Sequence, residues 1–99
     1  MPPRRPRYRA HPDANQPEIV KRLRQAHFWV INVSRWLTTP DLFVCGYDAR
    51  RQERRWTAWE IKTLKGDLTP EQQETLEAHE GDLLVARTVD DILGEYGQL

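Results

Sequence analysis

Cysteine is nearly absent: Cys45 is the single one among 99 residues, so no internal disulfide can form and a reducing cytoplasm is the simplest compartment. The three histidines, His11, His27 and His79, share no short or helical spacing, and with one cysteine they build no zinc site. Long hydrophobic runs are missing too. The longest nearly uncharged stretch, Ala26–Ser34, falls far short of the roughly 20 residues that cross a bilayer, so no transmembrane helix and no membrane partner are expected. The five glycines form neither GxGxxG nor GxxxxGK[ST], which argues against a nucleotide cofactor, and no G-x-S-x-G elbow supports a lipase-like hydrolase. The basic start, Met1–Arg9, leads into His11, Pro12 and Asp13 where a secretory signal needs an apolar segment.

What is present is a chain of one domain's length, 30% charged, with a net charge of zero that conceals a division. Residues 1–65 hold fourteen of the fifteen Lys and Arg but six of the fifteen acids, a surplus of eight positive charges. Residues 66–99 hold Arg87 against nine acids, the mirror surplus. Such asymmetry points to one surface that meets a polyanion, with nucleic acid the obvious candidate. A core this small gives modest stability, so a partner subunit is also expected to help.

Residues 1–14 read as a flexible basic arm, rich in Pro and Arg, and 15–99 as a single domain. Ile19, Val20, Leu23 and Ala26 recur at helical spacing, which predicts an amphipathic helix from Pro17 to His27 capped by Asn15 or Asp13. Phe28–Val33, Leu42–Tyr47 and Arg54–Thr63 are rich in β-branched and aromatic residues and read as strands, the last two joined by a polar hairpin at 48–53. Thr69-Pro70-Glu71-Gln72 is a capping box that starts a second helix, running to about Glu80 and stopped by Gly81. Leu83–Arg87 is a short buried strand, and Thr88 caps a last helix bearing Val89, Ile92, Leu93 and Tyr96. The expected fold is α/β: a mixed four-stranded sheet flanked by helices, with the fourth strand returning in parallel after a helical crossover.

Asp41 opens the second of these strands, and Glu60 and Lys62 share one face of the third. If the two strands pair through the hairpin, Asp41 faces Glu60 and Lys62. Two carboxylates give hard oxygen ligands for Mg²⁺, with the Ile61 carbonyl between Glu60 and Lys62 as a further one, and a lysine there can orient water and offset charge on phosphorus.

Pro40-Asp41 followed by Glu60-Ile61-Lys62 resembles the signature of the PD-(D/E)xK nuclease superfamily, and the element order is similar to its restriction-endonuclease-like αβββαβ core. Leu68-Thr69-Pro70-Glu71-Gln72 resembles the LTxxQ segment of virus-type replication-repair nucleases and archaeal-type Holliday junction resolvases, and Glu18 matches the acidic residue that many members carry on the first helix. One departure is the approach to Pro40, where Trp36-Leu37-Thr38-Thr39 stands in place of a glycine. The resemblance implies a Mg²⁺- or Mn²⁺-dependent DNA endonuclease with Asp41, Glu60, Lys62, Glu18 and Gln72 as site residues and Asp41, Glu60 and Ile61 as metal ligands. It further implies a two-fold homodimer acting on branched DNA such as four-way junctions, in repair or recombination in a bacterial or phage-infected cell, and leaving 5′-phosphate ends.

Arg4, Arg5, Arg7 and Arg9 with Tyr8, and Arg22, Arg24, Arg35 and Lys65, are the candidate phosphate contacts. Trp29 and Trp59 are expected in the core. Trp36 and Trp56 suit either base stacking or a dimer interface. Two other readings are a non-catalytic nucleic-acid-binding module of the same fold and a sequence-specific restriction-type endonuclease, for which so short a chain leaves little room.

Overall fold

The structure, a computed structural model, describes residues 14–33 and 40–99. The order is α1 (Gln16–Gln25), β1 (Trp29–Asn32), β2 (Leu42–Asp48), β3 (Glu53–Ile61), α2 (Pro70–Ala78), β4 (Leu83–Ala86) and α3 (Val89–Glu95). The four strands form one mixed sheet in the order β1-β2-β3-β4. β1, β2 and β3 are an antiparallel meander, and β4 lies parallel to β3 after the α2 crossover. This is a small α/β domain with three helices, and no helix among the described residues is long and apolar enough to cross a membrane.

α1 forms where Ile19, Val20 and Leu23 can all face the sheet, and each is buried. Burying such side chains contributes about 1.5–3 kcal/mol apiece, far more than helix propensity does. The helix ends at Gln25, and His27 turns the chain with φ +66°, a position glycine usually takes. Phe28 then lies flat over Gly46, where any Cβ would overlap its ring, and meets Tyr96 edge-on at 4.9 Å.

One face of the sheet carries Val30, Leu42, Val44, Trp59 and Ile61 and is closed by α1 and α3. Tyr96, at the end of α3, is fully buried and pins three places at once: its hydroxyl lies 2.7 Å from Arg55 O, 3.0 Å from Val44 O and 2.8 Å from Thr57 Oγ1. Thr57 in turn accepts from Trp59 Nε1 at 2.6 Å. Burial of the phenol pushes its pKa up despite the Thr57 hydroxyl.

At the β2–β3 hairpin, Asp48 is buried against Arg55 (2.9 Å), which also reaches Glu95 (3.3 Å). Burial alone would raise the Asp48 carboxyl. The N–H groups of Arg51 and Arg50 and the Arg55 guanidinium outweigh that penalty and hold it below its ordinary value.

The opposite face differs from expectation. Trp29 was expected in the core, yet it is 61% exposed, because β1 turns Val30 inward and Trp29 and Ile31 outward. Trp29, Cys45 and Trp56 are in register across three strands, and the two indoles lean together over Cys45 with centroids 5.2 Å apart. Trp59 is in the core as expected.

Candidate active site

The site is assembled at the end of the sheet where β2 starts and β3 and β4 finish. Asp41 N donates to Trp59 O, and Asp41 O accepts from Val33 N, both at 2.9 Å, so the residue is fixed between β1 and β3. Leu42 is in register with Trp59, which places Asp41 opposite Glu60. Both carboxylates are fully buried. Asp41 Oδ2 accepts from Ile61 N at 2.8 Å, a cross-strand bond that orients the carboxylate. Lys62 Nζ stands 3.8 Å from Glu60 Oε1, and Lys62 N donates to Ala86 O, which holds the lysine against β4.

Gln72 completes this cluster by using the two ends of its amide for different purposes. Its Oε1 accepts from Thr69 N (3.0 Å), while Thr69 Oγ1 accepts from Gln72 N (3.2 Å), the reciprocal capping box that starts α2. Its Nε2 donates to Glu60 Oε1 at 2.6 Å. A single residue therefore sets the helix start and holds the carboxylate.

Four of the sequence-predicted residues, Asp41, Glu60, Lys62 and Gln72, thus come together with the Ile61 backbone. Glu18 does not join them. It lies 65% exposed, 4.0 Å from Arg22 on the outer side of α1. Both line a cleft of about 680 Å³ with Thr63, Lys65 and Arg87, next to the site through the chain step from Lys62 to Thr63. Arg24 instead caps the Val30 carbonyl. Arg4, Arg5, Arg7, Tyr8, Arg9, Arg35 and Trp36 lie outside the described residues.

The α1 residue that turns inward is Gln16, 1% exposed, with Nε2 donating to Asn32 Oδ1 (3.2 Å) and a buried Oε1 that accepts no hydrogen bond. Asn32 is in register with Leu42, the residue after Asp41. Beside it Asn15 makes no side-chain cap. Its Nδ2 donates to Lys62 O (2.9 Å) and Arg87 O (2.7 Å), clamping the start of α1 over the exits of β3 and β4. Sequence reasoning missed both roles, since a polar residue at a helix start reads as a cap. The available signal was two adjacent amides where one cap suffices.

Two buried carboxylates side by side repel unless a cation lies between or beside them. Lys62 supplies a positive charge beside Glu60. Among the described residues no group of three or more His, Cys, Asp or Glu is clustered, so a closed transition-metal site is not built. The donor set of two adjacent carboxylates fits the hard-oxygen, water-rich coordination of Mg²⁺ or Mn²⁺. The chain matches no protein-family model, and no curated protein and no solved structure is significantly similar to it.

Proposed function

We propose that this chain is a Mg²⁺- or Mn²⁺-dependent endonuclease of the PD-(D/E)xK type, with the restriction-endonuclease-like core, hydrolysing phosphodiesters of branched DNA. The observation that carries the reading is the pairing of Asp41 and Glu60, both fully buried on adjacent strands, with Lys62 and Gln72 on the same carboxylate. Two carboxylates on adjacent strands, with a lysine and an amide on one of them, suit a divalent ion that takes hard oxygen ligands and water.

Asp41 and Glu60 would hold the ion, with the Ile61 carbonyl as a further ligand. An ion held by these residues would supply Lewis acidity for a bound water and a phosphoryl oxygen. Lys62 hydrogen-bonds the attacking water and the developing negative charge on the phosphoryl oxygens, which gain charge as the new P–O bond forms. The bond from phosphorus to O3′ then breaks, leaving a 5′-phosphate; the attacking water gives up a proton to solvent, and the departing 3′-oxygen takes one from solvent to become the 3′-hydroxyl. Gln72 keeps the Glu60 carboxylate in one orientation. Arg22 and Lys65 flank the adjoining cleft and suit a phosphate backbone.

Labelled four-way junction, splayed duplex, linear duplex and single strand, each with Mg²⁺, Mn²⁺ or EDTA, test the reading. Metal-dependent cutting of the junction, lost in Glu60→Gln and Lys62→Ala, is the expected result. Tight salt-sensitive binding without cleavage, unaffected by EDTA, would replace the enzyme with a binding module.

A further inference from the structure

Five of the seven large hydrophobic side chains exposed on the described residues share one face of the sheet: Trp29, Ile31, Phe43, Tyr47 and Trp56. The registers Ile31↔Phe43↔Ala58, Trp29↔Cys45↔Trp56 and Tyr47↔Arg54 set them in successive rows across the strands, on the face opposite α1 and α3. The next positions on that face, two residues before Phe43 and two after Ala58, are Asp41 and Glu60. The aromatic rows therefore continue the candidate active site down the strands. Same-face residues of a strand are spaced about 7 Å, so the rows lie roughly 7, 14 and 20 Å from Asp41. At about 200 Å² for a whole side chain of this size, the five present roughly 450 Å² of apolar surface, a patch of the size that on a monomer is often functional.

Charge decides what can lie on these rows. Between Arg54 at the hairpin end and Asp41 with Glu60 at the other, the described residues place no charged side chain on this face of β1, β2 and β3. Arg50 and Arg51, in the turn before Arg54, are exposed as well. A basic turn at the far end and an ion-binding site at the near end both draw phosphate, and the flat side chains between them suit bases. The contact from Gln72 to Glu60 puts α2 on the same face at its β4 side, where it exposes Glu71, Glu74 and Glu77 and no Lys or Arg. That helix fences a polyanion off β4 and keeps it on β1–β3. A duplex does not fit the rows, because its bases are stacked on one another and only its charged backbone would meet the tryptophans. An unpaired strand has its base faces free.

We infer that the Trp29–Trp56 face is the track of a single-stranded segment of the DNA, which leaves the Asp41–Glu60 site across Phe43, stacks its bases on Trp29 and Trp56 and brings its phosphates to Arg54 and Arg51. The indole centroids are 5.2 Å apart, less than the roughly 7 Å that a ring sandwiched between them needs, so bases lie on the outer faces of the pair. A track of about 20 Å holds about three to six nucleotides, counting from the 3.4 Å step of a stacked strand to about twice that where the bases part. As the continuation of a cleavage site the track rests on the nuclease reading; as a stacking surface it is measured without metal or cutting.

Fluorescence anisotropy of a labelled oligothymidylate of about sixteen nucleotides, and of a duplex of equal length, with the full chain in EDTA is the test. The single strand is expected to bind at least tenfold more tightly than the duplex. Trp29→Ala and Trp56→Ala, both at exposed sites, each weaken that binding at least tenfold with an unchanged circular dichroism spectrum, whereas Trp56→Phe, which keeps a stacking ring, stays within about threefold of the parent. Arg51→Ala with Arg54→Ala weakens binding and flattens its salt dependence. Equal affinity for duplex, or single-strand binding indifferent to both alanine variants, overturns the inference even in a protein that cuts DNA. The expected pattern in a protein that cuts nothing keeps the track as a binding surface and removes the nuclease reading. A chain that binds no oligonucleotide, and that sediments as a dimer reduced to one chain by Trp56→Glu, overturns the inference and gives the face to a second copy.

Discussion

Replacing Gln72 by Glu separates the two duties of its amide. Glutamate keeps the oxygen that accepts from Thr69 N, so the capping box survives. It loses the Nε2 donor that lies 2.6 Å from Glu60 and sets a second negative oxygen in its place. A hydrogen bond to a charged group contributes about 1.5–3 kcal/mol. Like-charge repulsion next to a buried carboxylate adds to that loss, so Gln72→Glu is expected to cost about 3–4 kcal/mol at pH 7 in EDTA. For a domain of this size that is a fall of roughly 12–20 °C in Tm. Gln72→Ala loses the same bond and the cap but adds no charge, and is expected to fall by about 2–3 kcal/mol. Alanine therefore outranks glutamate although glutamate is the better capping residue. In 10 mM Mg²⁺ the proposed function predicts that the order closes up or inverts, because a third carboxylate would add a ligand for the ion. Urea unfolding followed by tryptophan fluorescence, with and without Mg²⁺, reads these differences. If Gln72→Glu is as stable as the parent in EDTA, the Gln72 amide does not hold an ionised Glu60 and the account of the site fails.

Lys62→Met removes the ammonium 3.8 Å from the Glu60 carboxylate and should destabilise the metal-free protein by about 3 kcal/mol, with the larger Mg²⁺-induced rise in Tm seen in the variant; equal Mg²⁺ responses would contradict this. Glu18→Gln, at an exposed pair with Arg22, should leave stability within about 0.5 kcal/mol and cleavage unchanged, whereas Gln16→Leu should abolish cleavage in a folded protein. Gly46→Ala drives a methyl into the Phe28 ring and should cost about 1–3 kcal/mol by chemical denaturation. Asp48 has a folded pKa below its unfolded value near 3.8, so its stabilisation is complete above that value and lost as pH falls through the folded one. Asp48→Asn should therefore be less stable at pH 6 and show a flatter acid limb in thermal scans from pH 6 to 2.

The parts of this molecule that are legible in its sequence are those set by near neighbours. Thr69 and Gln72 are three residues apart, and Thr88 with Asp91 repeats the pattern for α3, where both reciprocal bonds form. Asp41 and Glu60 could be brought together because a short hairpin fixes the register between them. β1 offered no comparable guide. Trp29-Val30-Ile31 is apolar throughout, so alternation could not say which side faced the helices, and Trp29 turned outward. The roles of Asn15 and Gln16 were illegible for another reason. Asn15 bonds to carbonyls 47 and 72 residues away, and Gln16 finds Asn32 only once β1 has joined the sheet.

Tyr96 also governs when this domain can exist. Its hydroxyl reaches back to Val44, Arg55 and Thr57, and its carbonyl accepts from Ala49 N. During synthesis α1 and the meander of β1, β2 and β3 are made first, but α1 alone covers the inner face until α3 leaves the ribosome. Contacts that span 39 to 52 residues must then form together, which favours slow, all-or-none folding after the last helix has emerged. Until then the chain exposes apolar strands on both faces, a period in which chaperones or a second nascent chain could engage it. A polypeptide shortened before Tyr96 would lack the residue that joins the last helix to the sheet and should remain unfolded, with its buried carboxylates never assembled.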